Sequence, residues 1–496
     1  MNECWSYYNR PGVKTPLEFP FLGKYYIIWG MDERLKILLQ LAAVLAVGSL
    51  LAFRPQSVDV TRDYIHFQEA YQADEYQEMA LTMADLAQRL TWRPELWEKA
   101  GHFAQRAEEL ALAEAYFERA RALDVLTQQG RIALGEVYHA QGEVSLAEEV
   151  WSEVEGSPQT AGYLAQLHQE LGDYPAAIRD WREYISLVDE VDPGTHFKLG
   201  LLLAAEEPVR ALPHLEKAAP SYPEAEKLRS ALTETQDQEP AYQQVVAGQA
   251  LASLDRWTLA EYAFEKAVRY RPDYPQAWAY WGEALQQVGK GDPDPLQALE
   301  KAYDLAPESP EVNIFLGIYW QRKDEHSRAL PFFETAADIW PDNPEVYVEQ
   351  GQSLAVLGDL STALAMYEKA VQKDPENPAY RRLLAAFCVT YHYKVQEKGL
   401  PAARQAVHLS GGDPPALLVM GQVLREVGDL QNAKKFFIQA LEKDPKFARA
   451  HFSLGMTYLA LDKKALADRH LQAVLYYSTN PTLREQAQRA LATFSP

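Results

Sequence analysis

A chain of 496 residues, 47% of them apolar, holds enough hydrophobic material for a large core and, by length alone, for about three domains. Its formal charge of −22 argues against a phosphate-binding surface, so no nucleic-acid partner is expected, and favours solubility or a basic partner. The two cysteines, Cys4 and Cys388, are too few and too far apart for a disulfide framework or a metal quartet. Cys388, within LLAAFCV, reads as a small buried hydrophobe.

Residues 1–36 form an aromatic-rich tail, with WSYY and KYYIIW among scattered prolines and no helical period. Met31, opening MDERLKILLQ, is a second candidate start of translation. The run from Ile37 to Phe53, ILLQLAAVLAVGSLLAF, has no charged residue and is flanked by Arg34, Lys36 and Arg54. At 1.5 Å per residue it spans roughly 25 Å, which suits one transmembrane helix with snorkelling cations at its ends. The alternative is a cleaved signal sequence, with the small residues of AVGS around Gly48 as its cleavage site. Arg10, Lys14, Lys24, Arg34 and Lys36 precede the run and only Arg54 and Arg62 follow it closely, which puts the N-terminus in the cytosol and the rest outside.

From Arg62 onward the chain repeats itself. Pro307, Pro341 and Pro375 are each 34 residues from the next, and each is followed three residues later by Pro310, Pro344 or Pro378. The first proline of a pair closes a helix, because it has no N–H to offer. The second opens the next helix behind a capping side chain, as in Ser309-Pro310, Asn343-Pro344, Asn377-Pro378 and Asn480-Pro481. Between these cassettes lies a shorter punctuation, LGDY (171–174), LGDL (357–360) and VGDL (427–430), where glycine ends one helix and aspartate caps another. The unit is therefore helix, tight turn, helix, loop.

Small residues keep the same period. Gly248, Gly282, Gly317 and Gly351 are 34, 35 and 34 residues apart, while Gly101 and Gly135, like Gly421 and Gly455, are 34 apart. Glycine inside a helix costs about 1 kcal/mol against alanine, so a close backbone approach is expected to compensate. Ala260, Ala329, Ala363, Ala433 and Ala467 follow at a fixed distance, then Phe264, Phe333, Tyr367, Phe437 and Leu471. Large residues are expected to fill the groove where the alanines permit tight crossing.

These features resemble the tetratricopeptide repeat family, whose pattern is W-x2-LG-x2-Y, then A-x3-F, then P. WAYWGEAL (278–285), HFSLGMTY (451–458) and RIALGEVY (131–138) carry the first part, and ALAMYEKAVQKDP and AKKFFIQALEKDP the second. The resemblance implies an all-α helical-hairpin solenoid, a right-handed superhelix, preceded here by one N-terminal transmembrane helix. It divides the chain into a tail (1–36), an anchor or signal (37–53), a first sub-array (62–232) and a second (241–496). A polar joint, TETQDQEP (233–240), lies inside a 48-residue interval between Gly200 and Gly248, 14 more than one repeat. Around residues 387–415 the unit is irregular, and one helix is expected to run long.

No Gly-rich phosphate loop, H-E-x-x-H, C-x-x-C or EF-hand loop occurs, and neither a cofactor nor catalysis is expected. The cluster Tyr391–Tyr393 reads as an aromatic edge, and the acidic pairs Glu108-Glu109 and Glu148-Glu149 as solvated helix faces. Function therefore falls to binding. In the resembled family the first helices line a groove at fixed offsets from the repeat glycine. One residue after it stand Glu136, Gln249, Glu283, Gln352 and Gln422; four after it stand Gln105, His139, Gln286, Gln321 and Arg425. This glutamine-rich, nearly neutral row suits the backbone of an extended peptide, since each amide donates and accepts. The same residues also read as an ordinary solvated helix face. The lysine three before the glycine that marks chaperone-clamping members is absent: those positions hold Glu98, Ile132, Phe197, Val245, Ala279, Ile314, Val348, Leu418 and Phe452. The expected function is a membrane-anchored, non-catalytic scaffold that assembles partner polypeptides. The alternatives are a soluble secreted or periplasmic adaptor and a regulatory subunit of a cell-envelope biogenesis enzyme.

Overall fold

The computed structural model describes residues 58–289 and 294–493. Every regular element among them is helical. Two compact units divide between Leu167 and His168. The first contains the hairpins α1–α2 (Val58–Ala73, Tyr76–Arg89), α3–α4 (Leu96–Arg106, Leu110–Ala122) and α5–α6 (Gln128–Gln141, Val144–Ser152), and α7 (Pro158–Leu171) carries the division. The second continues with α8 (Tyr174–Leu187), hairpin α9–α10 (Pro193–Glu206, Pro208–Ala218) and a single helix, α11 (Pro223–Thr233). Hairpins α12–α13 (Pro240–Ser253, Trp257–Tyr270), α14–α15 (Pro275–Val288, Pro295–Leu305) and α16–α17 (Pro310–Arg322, His326–Ile339) follow. Then come α18–α19 (Pro344–Val356, Leu360–Lys373), α20–α21 (Pro378–Thr390, Leu400–Leu409), α22–α23 (Pro414–Glu426, Leu430–Lys443) and α24–α25 (Ala448–Ala460, Lys464–Tyr477), closed by α26 (Pro481–Ala492).

The helices begin where the caps place them. The side chains of Asn343 and Asn377 accept from the N–H of Glu345 and Ala379 at 3.0 Å, and Asn480 accepts from Leu483 at 3.0 Å. Ser309 accepts from Val312 at 3.4 Å. In the tight turns Asp173, Asp359 and Asp429 accept from Ala176, Thr362 and Asn432 at 3.0–3.1 Å. The turn residue before these aspartates needs a left-handed backbone, which Gly358 and Gly428 supply at φ 87°. Asp255, Asp324 and Asp462 take that conformation in hairpins whose turns lack the glycine.

Each mid-helix glycine lies under one large side chain of its own hairpin. A Cβ at Gly101 would meet the Phe117 ring at 2.6 Å, one at Gly248 the Phe264 ring at 2.5 Å, and one at Gly455 the Leu471 side chain at 2.9 Å. Gly135, Gly317, Gly351 and Gly421 pair likewise with Trp151, Phe333, Tyr367 and Phe437, all sixteen residues on. Turn length shifts this register without abolishing it. The one-residue turn at Glu207 brings Leu215 under Gly200, fifteen residues on, and the longer connection after Val288 brings Leu299 under Gly282, seventeen on. The neighbouring alanines Ala260, Ala329, Ala363, Ala433 and Ala467 are completely buried at the helix crossings.

Four features differ from the sequence expectations or fall beyond them. The 14 extra residues before Gly248 are not loop alone: α11 buries Ala225, Leu228 and Leu232 at helical spacing, and only residues 234–239 form turns. The expected joint at 233–240 lies within the second compact unit. Glu108 and Glu109 lie in the turn between α3 and α4, Glu108 with φ 62°, rather than on a helix. In the hairpin α20–α21 the irregularity takes the form of a π-helical turn at Val395–Gly399, which leads into the short α21. The small residue has changed helix there, since a Cβ on Gly399 would meet Cys388 at 2.9 Å. Cys388 is fully buried, which pushes its thiol up to about 11. The expected anchor, Ile37–Phe53, lies outside the described residues, and no helix among the described ones is long and apolar enough to cross a membrane.

Candidate peptide-binding face

The offsets of one and four residues after the repeat glycine lie on the side where consecutive first helices meet. In the first unit, Gln105 of α3 donates to Glu136 of α5 at 2.9 Å. Glu136 also accepts from the Tyr163 hydroxyl at 2.5 Å and from Gln159 at 3.5 Å. His139, one turn beyond Glu136, is exposed beside the Trp151 ring, with centroids 5.8 Å apart.

In the second unit the same offsets form a polar chain across α14, α16 and α18. Glu283 is buried and accepts both guanidinium nitrogens of Arg322 at 2.7 Å, a bidentate pair. It also accepts from Gln286 at 3.2 Å and Gln287 at 2.8 Å. Gln321 donates to the Glu349 carbonyl at 3.1 Å and to the Ser353 hydroxyl at 2.9 Å. Burial pushes the Glu349 carboxyl above its ordinary range, against the opposing pull of Gln321. Gln249 of α12 lies against Tyr280 of α14, whose ring stacks on Phe264 at 5.4 Å. Further on, Gln422 of α22 reaches Ser453 of α24 at 3.5 Å.

The ten residues at these offsets thus divide by what they touch. Gln105 with Glu136, and Glu283, Gln321 and Gln422, tie one first helix to another, Gln286 braces Glu283, and Gln249 lies against Tyr280. Gln352 and His139 are exposed, and Arg425 is half-buried with no ion pair among the described residues. Glutamine spacing alone gave no sign of Arg322, which stands five after its glycine and neutralises Glu283, nor of the receiving Ser353 and Ser453. The Tyr391–Tyr393 cluster is partly what its sequence suggests. Tyr391 and Tyr393 pack on Phe387 with centroids 5.5 and 6.3 Å away, while His392 turns outward to Glu426 at 2.5 Å.

Two hairpins carry a histidine pair at an equivalent place. His196 of α9 faces His214 of α10 with Nδ1 atoms 3.0 Å apart, and His451 of α24 faces His470 of α25 at 2.9 Å. Each first-helix histidine stands four residues before Gly200 or Gly455, and each partner one residue before Leu215 or Leu471. The Pro445 carbonyl, 3.0 Å from His451 Nε2, requires the proton there, so His470 donates through Nδ1 when both rings are neutral. Among the described residues no three His, Cys, Asp or Glu converge as a metal site. Burial, followed by the charge of the facing imidazole, pushes His214 and His470 down to about 4.

The tetratricopeptide repeat family matches the chain twice, over residues 321–387 and 418–475. No curated protein matches it. Among solved structures it is similar to the APC/C hetero-tetramer Cut9–Hcn1, at 13% identity over 90% of this chain and 99% of that one, with a TM-score of 0.38. It is similar to yeast Tom70 at 13% identity over 88% of this chain and 95% of that one, TM-score 0.42. It is also similar to YrrB, described as a TPR protein with an unusual peptide-binding site, at 25% identity over 39% of this chain and 98% of that one, TM-score 0.29.

The histidine pairs predict a pH dependence. Both half-buried rings have folded-state values below the ordinary 6.5, so the unfolded chain binds more protons between pH 6.5 and about 4. Their contribution to stability is complete above about pH 6.5 and is lost as pH falls toward 4. The melting temperature should therefore fall between pH 7.5 and 5.0, and the double variant His214→Gln/His470→Gln should fall less. An equal fall in both proteins would exclude the pairs as its source.

Proposed function

The chain is a tetratricopeptide-repeat protein, and from that premise we propose that it is a non-catalytic scaffold whose first helices hold extended segments of partner polypeptides. The observation that carries this reading is the polar inner face of the second unit. Its amides and charges already bridge α14, α16, α18, α22 and α24, so the helices are fixed before a partner arrives. Preorganised donors and acceptors bind a chain with less ordering cost than mobile ones. Gln286 and Gln249 are half-buried and Gln352 is exposed, leaving amide groups at the surface of a face that is otherwise closed on itself.

The proposed location is a membrane surface, with Ile37–Phe53 as an uncleaved anchor, the N-terminus cytosolic and the repeats outside. The charge-free run and the cations before it support this reading. Carbonate-washed membranes should retain the full-length chain; a soluble form starting near Ser49 would contradict the anchor.

The binding reading is tested by replacing Gln249, Gln286 and Gln352 with alanine. Alanine is the better helix former, so the fold should persist with an unchanged helical signal. Partners captured by the parent protein should be recovered several-fold less well, since each lost neutral hydrogen bond is worth about 0.5–1.5 kcal/mol. A matched change of three exposed second-helix residues, Gln372, Gln431 and Gln472, serves as control. Undiminished capture by the first variant, or equal loss in both, would sink the assignment of binding to this face.

A further inference from the structure

The net charge of −22 averages two unlike stretches. Residues 378–496 hold sixteen Lys and Arg against nine Asp and Glu, a net of +7, and the 377 residues before them therefore carry −29. The first helices follow the same polarity. Together α12, α14, α16 and α18 contain Glu283, Glu311, Glu345 and Glu349 against Arg322 alone. By contrast α20, α22 and α24 contain Arg381, Arg382, Arg425 and Arg449 against Glu426 alone.

Most of the charges on these helices are already engaged. Glu283 holds Arg322, Arg381 donates to Gln405 at 2.8 Å and to the Pro375 carbonyl, and Glu426 is met by His392. Arg382, Arg425 and Arg449 have no hydrogen-bond or ion-pair partner among the described residues. Arg382 and Arg425 are nevertheless half-buried. Relative to the small residue of each repeat (Ala385, Gly421 and Gly455) the three stand at −3, +4 and −6. With the +1 position of Gln422, those offsets follow the three-and-four spacing of one helical stripe. It is the stripe on which the first helices of this unit meet.

We propose that the inner stripe of α20, α22 and α24 is the docking site for an acidic, extended polypeptide segment, whose carboxylates pair with Arg382, Arg425 and Arg449. This rests on the scaffold reading and specifies its partner. A guanidinium held half out of water without a counter-ion is unfavourable, and an incoming carboxylate removes that penalty. Burial lowers the proton affinity of Arg425, and the charge of the neighbouring Glu426 offsets this only in part. The planar fork of arginine accommodates a carboxylate bidentately, which a lysine ammonium does not. Packed helix axes lie about 10 Å apart, a distance covered by roughly three residues of extended chain. The fitting sequence therefore has an acidic residue at about every third position, with Gln422 and Ser453 between the arginines as neutral contacts for its backbone.

The test uses the full chain and a labelled 12-residue peptide with glutamate at every third position, beside the same peptide with glutamine there. The glutamate peptide should bind and the glutamine peptide should not. Arg382→Gln/Arg425→Gln should weaken binding at least 30-fold, while Lys463→Gln/Lys464→Gln, which removes equal charge from the exposed start of α25, should change it less than twofold. The arginine variant should melt no lower than the parent, because it removes half-buried charges that hold nothing in the unbound fold. Equal weakening by both variants, equal binding of both peptides, or a lowered melting point in the arginine variant would overturn the proposal. So would tighter, arginine-dependent binding of an oligonucleotide or an anionic vesicle than of the peptide. If cellular partners survive the arginine change but are lost with the glutamine-to-alanine triple, this proposal fails and the scaffold reading stands.

Discussion

The contact on which the rest depends is a large side chain of the second helix pressed onto a glycine of the first. It recurs from Gly101 and Phe117 to Gly455 and Leu471, and it sets how near the two helices of a hairpin approach. That spacing decides what the other faces do. With the helices drawn together, the residues just after each glycine come within hydrogen-bonding reach of the next first helix. Gln321 to Ser353 and Gln422 to Ser453 are the result. Where the chain departs from the pattern, the contact is conserved in kind. Leu215 and Leu299 reach their glycines despite altered turns, and in α20–α21 the small residue moves across to Gly399 beneath Cys388.

Much of this was legible in the sequence because it is local and repeated. The paired prolines, the capping Asn and Ser residues and the Gly-Asp turns act through a few neighbouring residues, and each cap named from spacing carries its bond. The single helix α11 was hidden because it has no partner helix to echo its period. Its three buried residues were overshadowed by the polar run beside them. The bridging role of Gln105, Gln321 and Gln422 was not legible for another reason. A glutamine on a helix face looks the same whether it points at water or at the next repeat, and its acceptor lies about one repeat away in sequence. The arginine stripe was readable in principle. Summing charge over the whole chain concealed a basic last quarter behind an acidic remainder.

A face so arranged has consequences for binding. Its buried polar groups satisfy one another, so the helices do not need a ligand to fix their spacing. On the proposed reading, affinity for a partner comes from the few groups left over. Across α12–α18 these include the amide of Gln352 and the exposed carboxylate of Glu345; across α20–α24 they are the guanidinium groups of Arg382, Arg425 and Arg449. The two stretches then differ in charge, and contacts made to the guanidinium groups would weaken with salt.

The glycine contact is tested most directly by a double-mutant cycle on Gly421 and Phe437, read by native-state hydrogen exchange of the amides in α22 and α23. A Cβ at Gly421 would overlap the Phe437 ring, so Gly421→Ala should lower the local opening free energy by about 1–3 kcal/mol, the usual cost of overpacking. In the Phe437→Ala background the same change should cost nothing, or gain up to about 1 kcal/mol from the better helix propensity of alanine. The same loss in both backgrounds would contradict the account, because the glycine would then be required for some reason other than the ring pressed onto it.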